Sequence, residues 1–230
     1  MTRVALVTAA SKGIGAGIAR ELARRDHKVA LLARNAEVEV LARDLDGIAV
    51  QGDVRDEAAL RTLVDAAVAK WGRLDVVVAN TGHPPKGQPL ALTDEQWLTG
   101  YELILASAIR LARIAAPVMM KQRSGAFVAI SSYAAARPEL TRTTSSVFRA
   151  ALGAWIKLLA EELAPHGIRA NAVLPGFVDS QPVAPEIIAT IPRGREGGVD
   201  ELARTVAFLG SDDASLVTGQ CLLVDGGMVR

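Results

Sequence analysis

The sequence predicts an α/β protein with a doubly wound, seven-stranded parallel sheet. Short apolar runs of strand length alternate with segments of helical length, a pattern typical of parallel βαβ units. A glycine-rich turn follows the first apolar run and leads directly into the first helical segment. Half of the 230 residues are hydrophobic, so residues 1–230 can form a single domain with a substantial core. We expect ligands to bind at the carboxyl ends of the strands.

Each element follows from this alternation. Strands are predicted at residues 4–7, 29–32, 48–50, 76–79, 126–130, 170–174 and 222–224. Helices are predicted between them at residues 14–25, 36–45, 57–70, 95–121, 145–163 and 200–209. Residues 180–198 are rich in proline and glycine, and this predicts a mobile loop that covers the substrate.

The turn after the first strand has the composition of an anion-binding loop. Residues 8–15 read TAASKGIG between a buried strand and a helix. Backbone N–H groups at the start of a helix can hold a phosphate, and Gly13 and Gly15 let a ligand approach the backbone closely. A purely structural turn is the alternative interpretation.

Charge and cysteine content narrow the function classes. The 26 basic and 25 acidic side chains nearly cancel, which argues against nucleic acid or an anionic membrane as a partner. The apolar run near the N-terminus is too short for a secretory core or a membrane span, so a cytoplasmic protein is expected. The single cysteine, Cys221, excludes an internal disulfide and offers no metal-ligand cluster, so no metal is expected. Its predicted role is buried packing.

Several spaced motifs, taken in order, resemble the short-chain dehydrogenase/reductase family over residues 3–227. They are the loop at residues 8–15 with Ala9 in place of its first glycine, Asp53-Val54, Asn80-Thr81-Gly82, Pro175-Gly176, Val178 with Ser180, Thr218-Gly219-Gln220 and residues 224–227. The resemblance implies a Rossmann fold, with Asp53-Val54 at the adenine and Val178 and Ser180 at the nicotinamide carboxamide. The implied cofactor-binding residues are Thr8, Ser11, Lys12, Gly13, Ile14, Gly15, Arg34, Asp53, Val54, Asn80, Gly82, Arg149, Pro175, Gly176, Val178 and Ser180.

The cofactor preference is predicted from charge. An acidic residue at the end of the second strand would bind the ribose 2′-hydroxyl of NAD and repel a 2′-phosphate. No carboxylate stands there, whereas Arg34 can form a fork onto a phosphate and Lys12 adds a second cation. This favours NADP(H) over NAD(H); the alternative is that Arg34 is simply an exposed residue at a helix start.

The catalytic positions depart from the family pattern of Asn, Ser and Tyr-x-x-x-Lys. Ser132 matches the family serine. Counting from the flanking motifs places Ser145 at the tyrosine, Arg149 at the lysine and Ile104 at the asparagine. A serine hydroxyl is a far weaker acid than the family's phenol, whose pKa of about 10 is lowered by the lysine. Ser145 is therefore expected to bind substrate without acting as a general acid, while Arg149 keeps the positive charge.

Four hypotheses about the function remain open from the sequence. The chain can transfer hydride to a substrate that needs little acid help, such as an imine or iminium, an activated C=C or a C=O group. Another side chain can supply the proton, with Tyr133, Tyr101 and His83 as candidates. The third reading is a non-redox lyase resembling the halohydrin dehalogenases, and the fourth is a catalytically silent regulatory subunit that binds the nucleotide.

Assembly is predicted from two helices. Residues 95–121 and 145–163 carry more apolar positions than one buried stripe requires. The family resemblance implies that these helices form a homodimer or homotetramer interface. A small-molecule substrate is expected in a pocket lined by residues 83–92, 133–144 and 180–198.

Overall fold

The computed structural model describes residues 2–229 and contains one parallel sheet of seven strands in the order β3-β2-β1-β4-β5-β6-β7. The strands are β1 (Arg3–Thr8), β2 (His27–Ala33), β3 (Ile48–Gln51), β4 (Val76–Ala79), β5 (Gly125–Ile130), β6 (Ile168–Pro175) and β7 (Cys221–Val224). All six strand pairings are parallel, for example Val7 with Leu31 on one side and with Val78 on the other. The predicted strands agree with these to within a few residues at each end.

Helices connect the strands. They are α1 (Gly13–Arg24), α2 (Glu37–Asp44), α3 (Glu57–Trp71), α4 (Asp94–Tyr101), α5 (Ser107–Gln122), α6 (Thr143–Leu163), α7 (Pro185–Ile188) and α8 (Val199–Gly210). The start of α3 illustrates the local cause, because Asp56 accepts a hydrogen bond from the N–H of Ala58 and so caps the helix. Gly72 ends the same helix in the left-handed conformation.

Two apolar clusters cover opposite faces of the sheet. One contains side chains from α3, α5 and α6, including Leu63, Leu111 and Ile156. The other contains side chains from α1, α2 and α8, such as Ile18 and Val206. Burial on both faces explains why the strands are continuously apolar. The predicted doubly wound α/β fold is confirmed.

The helical segment from Asp94 to Gln122 contains an irregular turn. The sequence predicts one helix here, whereas the structure has a π-helical turn, Glu102–Ala106, between α4 and α5. By length and composition this is the one helical segment within residues 2–229 that could cross a membrane, a test that the core helices of globular proteins also pass. Its buried residues, including Ile104 and Met119, pack in the core cluster on the sheet.

The strand order reverses between β1 and β4, which lie next to each other with their connections leaving in opposite directions. In open α/β sheets this switch point opens a crevice at the carboxyl ends of the strands. Thr8 ends β1 and Asn80 follows β4 at that crevice.

Residues 180–198, which we call the lid, are less irregular than predicted, since α7 lies within them. Main-chain hydrogen bonds close the neck of the lid: Asp179 N donates to Gly197 O at 3.0 Å, and Gly197 N donates to Phe177 O at 2.9 Å. The Asp179 carboxylate also accepts from Val199 N at 2.8 Å. The lid is therefore a flap with a fixed base.

The prediction of a buried Cys221 was wrong. Cys221 is exposed, although its thiol lies 3.9 Å from the Gly153 carbonyl oxygen. The reason is topological, because β7 is an edge strand whose first residues are uncovered.

Candidate active site

A side-chain clamp joins the two strands at the switch point. The Thr8 hydroxyl is buried, donates to Asn80 O at 2.6 Å and accepts from Asn80 N at 2.9 Å. Asn80 Nδ2 donates to Ala9 O at 3.3 Å. The loops after β1 and β4 are thus held together by two short polar side chains, and Gly82 follows on the exposed side of the second loop.

The turn before α1 forms a cradle that only small residues allow. A Cβ on Gly15 would lie 2.3 Å from Ala9 O and 2.8 Å from Asn80 Nδ2. Gly13 has φ +54° and Ala9 has φ +49°, so Ala9 adopts the left-handed backbone that the family's first glycine would adopt without strain. This backbone geometry brings main-chain groups to the surface of the turn, as phosphate binding requires.

The helix that starts at this cradle has free donors for an anion. Helix α1 begins after Lys12, without a side-chain cap and without an acidic residue in its first turn. Ser11 is half-buried beside it, while Ile14 packs into the apolar cluster on the α1 face. The positive end of α1 is therefore available to a pyrophosphate.

Two predicted cations stand beside the cradle. Lys12 and Arg34 are both exposed, and Arg34 directly follows β2. Across the loop after β3, Asp53 forms an ion pair with Arg55 at 2.9 Å, and Val54 is buried. Arg55, and more weakly Arg34, lower the pKa of the Asp53 carboxyl, so this carboxylate is charged. The arrangement suits a nucleotide with an extra phosphate near the end of β2.

The turn after β6 approaches the cradle from the opposite side. Gly176 donates its N–H to Val224 O at 3.0 Å, and a Cβ on it would lie 2.8 Å from Asp225. Val178 is buried at the neck of the lid, whereas Ser180 is exposed. The Ser180 side chain nevertheless lies over the glycine-rich turn, 3.3 Å from where a Cβ on Gly13 would stand. Pro175, the last residue of β6, completes this turn.

Arg149 links Ser145, on α6, to the main chain at the end of β5, and Ser132 lies two residues after that strand end. Arg149 Nη1 donates to Ile130 O at 2.8 Å and to Ser131 O at 2.7 Å. Its Nε donates to Ser145 Oγ at 3.2 Å, one helical turn earlier on α6. Ser132 follows in the chain, and its Oγ accepts from Ala134 N at 3.2 Å.

Both serine hydroxyls use their oxygen as an acceptor inside the protein. The hydrogens of Ser132 and Ser145 therefore remain available for a ligand. The Arg149 side chain is only 6% exposed, and none of its hydrogen-bond partners within residues 2–229 is a carboxylate. Burial lowers the pKa of Arg149 to about 10, which leaves the guanidinium charged at neutral pH. The positive charge of Arg149 is therefore in contact with Ser145 Oγ and is not paired with a carboxylate among the described residues.

Two alternative proton donors face away from this group. Tyr133 is buried with Ile191 and Met228, and its hydroxyl donates to Glu139 at 2.8 Å. Burial, followed by the Glu139 contact, raises the pKa of Tyr133 further above its ordinary value. Tyr101 packs its ring against Phe148 at 6.0 Å between centroids, on the helical layer. Neither phenol is placed as an acid for the site.

A wall beside Ser145 was not foreseen from the sequence. Thr144 Oγ1 donates to Pro85 O, and Thr143 Oγ1 donates to Gly87 O at 2.8 Å. Gly87 N donates back to Thr141 O at 3.1 Å. The consecutive threonines at the start of α6 were the available signal, since short hydroxyl side chains readily bond to nearby main chain. The loop after β4 is thereby fixed to the start of α6.

Ile104 occupies the π-helical turn. It is buried and lines, with Thr81 and Ser107, a cavity of about 10 Å³, close to the smallest that holds one water. An apolar side chain at this position offers no group for a proton relay. Ile104 has no hydrogen-bond donor or acceptor and cannot replace the amide of the family asparagine.

Comparisons with known proteins identify relatives of the whole chain. A family described as Enoyl-(Acyl carrier protein) reductase matches residues 8–229. The 3-oxoacyl-[acyl-carrier-protein] reductase FabG of Escherichia coli (strain K12) is 35% identical over 98% of this chain and 97% of the relative. FabG of Staphylococcus aureus (strain Mu50 / ATCC 700699) is 34% identical over 99% of this chain and 98% of the relative.

A solved structure is similar over the same length. It is the crystal structure of YwfH, described as an NADPH dependent reductase involved in Bacilysin biosynthesis. It superposes with a TM-score of 0.94 over 100% of this chain and 99% of that chain, at 26% sequence identity. Fold, site geometry and full-length similarity lead to one conclusion: the chain belongs to the short-chain dehydrogenase/reductase family.

Proposed function

We propose that this chain is an NADP(H)-dependent oxidoreductase that reduces a small molecule without a tyrosine acid. The observation that carries the proposal is the Arg149–Ser145 pair, which lies at the same sheet edge as the glycine cradle. NADPH dependence of the structural neighbour and the similarity to FabG reductases support the same reaction type.

The cofactor is NADP(H), which supplies or accepts a hydride when bound. The residues that suit its pyrophosphate are the cradle glycines Gly13 and Gly15 at the positive end of α1. Arg34 and Lys12 suit the 2′-phosphate, because Arg34 is exposed directly after β2 and Lys12 is exposed two residues after Ala10, whose N–H donates to Leu32 O at 3.0 Å. The hydrogen bonds between Thr8 and Asn80 hold the loops after β1 and β4 together.

The chain's own residues then act as hydrogen-bond donors. Ser145 accepts from Arg149 and can direct its own hydrogen toward a substrate oxygen or nitrogen. The buried guanidinium strengthens that donor and stabilises negative charge that develops on the substrate. Ser132 offers a second hydroxyl in the same way. Neither serine gives up its proton at neutral pH. Ser132 and Ser145 therefore stabilise the negative charge on the substrate by hydrogen bonding, without protonating it.

This chemistry selects substrates that need little acid help. An imine or iminium meets the requirement because it carries charge or acquires it easily. An activated C=C bond meets it as well, because hydride addition gives a delocalised enolate. An ordinary ketone gives a localised alkoxide and is expected to react more slowly, unless another group supplies the proton.

The proposal is tested by NADPH consumption with a panel of cyclic imines, enones and ketones, alongside fluorescence binding of NADPH and NADH. Turnover of imines or enones with NADPH is the expected result. NADPH binding without turnover of any panel member would favour a silent regulatory protein. Halide release from a halohydrin without cofactor would favour a lyase, although the open cradle at Gly13 argues against that chemistry.

We also propose that the chain forms a homodimer or homotetramer. Large apolar side chains on α4 and α6 are exposed, among them Leu98 and Leu158 at 58% and 65%. A face of this kind is typical of a protein interface. Light scattering at several concentrations tests the assembly, and a stable monomer at all of them would refute it. The cytoplasmic location stays a prediction.

A further inference from the structure

One histidine lies at the carboxyl edge of the sheet. The chain has three histidines, of which His27 starts β2 and His166 precedes β6, both at the opposite edge. His83 follows β4 and therefore stands at the edge that holds the glycine cradle and Ser145. It is the histidine placed to take part in chemistry at this site.

The wall described above fixes the position of His83. Thr144 binds the carbonyl of Pro85, two residues after His83, and Ser145 directly follows Thr144. This bond holds the loop that carries His83 at the start of α6, where Ser145 lies. From the other side, Gln181 of the lid contacts His83, with 2.8 Å between the two Nε2 atoms. Gln181 directly follows Ser180, which lies over the cradle.

The charges around His83 belong to the site. Partial burial lowers the pKa of His83, and the positive charges of Arg149, Lys86 and Arg142 lower it further. Arg149 and Arg142 act from α6 and its start, Lys86 acts from the loop of His83 itself, and the lid contributes the neutral amide of Gln181. The side chain still reaches solvent. As placed, the Gln181 amide nitrogen donates to an unprotonated Nε2 of His83, and a flip of the amide would present its oxygen to accept from an imidazolium.

We propose that His83 is the general acid of this enzyme, taking the role that the missing tyrosine leaves open. The inference rests on the proposed function and adds the source of the proton. In the reductive direction, NADPH would supply the hydride by giving up one C–H bond and becoming NADP⁺; a C–H bond forms on the substrate carbon and the π bond to the heteroatom opens. The imidazolium N–H bond of His83 breaks, an O–H bond forms on the substrate oxygen, and the neutral imidazole regains a proton from solvent. Ser145, which accepts a hydrogen bond from Arg149, donates to that oxygen during the transfer.

The first test locates His83 without relying on turnover. The imidazole pKa values of all three histidines are measured by NMR in the NADP⁺ and NADPH complexes of the full chain. The two cofactors differ by one positive charge on the nicotinamide ring, so a nearby histidine must have a lower pKa with NADP⁺. We expect the pKa of His83 to be at least about 0.5 lower with NADP⁺, and that of His27, at the opposite edge of the sheet, to be equal in both complexes. Equal values for His83 would overturn the proposal.

The second test uses the pH profile of kcat/KM on the best enone or ketone of the panel. Only the protonated His83 can donate, and its pKa lies below the ordinary 6.5, so the rate is expected to fall as the pH rises through that lowered value. His83→Gln should remove this pH-dependent limb and reduce kcat/KM at pH 5.5 by about 100-fold. Gln181→Ala removes the lid partner but not the titrating group and should retain the limb. His166→Gln is the matched control and should behave as wild type.

The outcomes separate the two proposals. An unchanged pH profile in His83→Gln, with turnover intact, would refute the role of His83 and leave the proposed function standing. A uniform loss at all pH values, matched by Gln181→Ala, would assign His83 to positioning the lid and overturn its role as an acid. Failure of the wild type to bind NADPH or to turn over any substrate would refute the proposed function itself.

Discussion

Removing the Ser145 hydroxyl is the most direct perturbation of the catalytic geometry. In Ser145→Ala the substrate loses the donor that Arg149 supports from 3.2 Å. Loss of one such donor in an anion-stabilising site typically lowers kcat by 10²- to 10³-fold, or about 2.7–4 kcal/mol. The fold should tolerate the change, because Ser145 is half-buried and Arg149 keeps its two main-chain carbonyl partners.

The assay is a single-turnover measurement of NADPH oxidation with enzyme in excess, which reports the hydride step rather than product release. NADPH affinity is measured in parallel by fluorescence and should change little, because Ser145 is not expected to hold the cofactor. The loss should therefore appear in the single-turnover rate of the hydride step and not in cofactor binding. A single-turnover rate within threefold of wild type would refute the role given to Ser145.

The neighbouring Ser146 provides a matched control. Its Oγ accepts from Glu139 N at 3.2 Å, so its hydroxyl is structural. Ser146→Ala leaves a partly buried N–H without its partner, and the free energy of unfolding should fall by about 1–3 kcal/mol. The hydride step should remain within twofold of wild type. The two adjacent serines thus separate a chemical loss from a structural one.

Four further changes probe other parts of the site. Gly15→Ala should abolish measurable NADPH binding, because its Cβ would lie 2.3 Å from a main-chain oxygen, and isothermal titration reports the loss. Arg34→Glu should weaken NADPH binding at least about tenfold relative to NADH, as fluorescence titration of both cofactors can show. Ser145→Tyr with Arg149→Lys should raise reduction of ordinary ketones, measured as NADPH consumption. Glu21→Gln should lower stability to urea at pH 6 but scarcely at pH 2. Two arginines hold the pKa of Glu21 at about 2, below its ordinary 4.5, so the stabilising effect of its carboxylate is lost as the pH falls from 4.5 to 2.

Controls make these predictions decisive. Gly197→Ala is the control for Gly15→Ala, because its Cβ would have ordinary contact at 3.6 Å. Arg43→Glu places the same charge change on α2 and should leave the NADPH to NADH ratio unaltered. Ketone reduction that stays at the wild-type level in the double variant would show that Ile104, or another missing group, limits the rate. A constant stability difference from pH 6 to pH 2 would contradict the account of Glu21.

Most of the fold was predictable because it depends on patterns local in sequence. Short, continuously apolar runs such as Val76–Ala79 are typical of the buried strands of a sheet that is covered on both faces. The turn at Gly13 and Gly15 was recognisable because backbone geometry there tolerates few residue types. Lone residues were harder: Cys221 looks like a core residue by its apolar neighbours, and only the strand order shows that it lies on an edge strand.

The chemistry of the site depended on contacts between residues distant in sequence. Alignment by the flanking motifs assigned Ser145 and Arg149 to the family positions of the tyrosine and the lysine. The hydrogen bonds from Arg149 to the carbonyls of Ile130 and Ser131 join a helix to a strand end, and no sequence pattern predicts them. The orientation of Tyr133 was equally open, because its direction is set by Glu139 and by the apolar cluster around it. The roles of the individual site residues stay predictions until the variants above are measured.

The neck of the lid has a consequence for how this enzyme can be altered. Main-chain bonds among Phe177, Asp179 and Gly197 close the base of the flap, and these bonds do not depend on the side chains or the length of the segment between them. Segments of different length can therefore be inserted between residues 182 and 190, provided that Ile191 keeps its packing against Tyr133 and Arg193 N keeps its hydrogen bond to Gly226 O. Because this segment is predicted to cover the substrate, we expect such exchanges to alter substrate preference while the sheet and the serines keep their geometry.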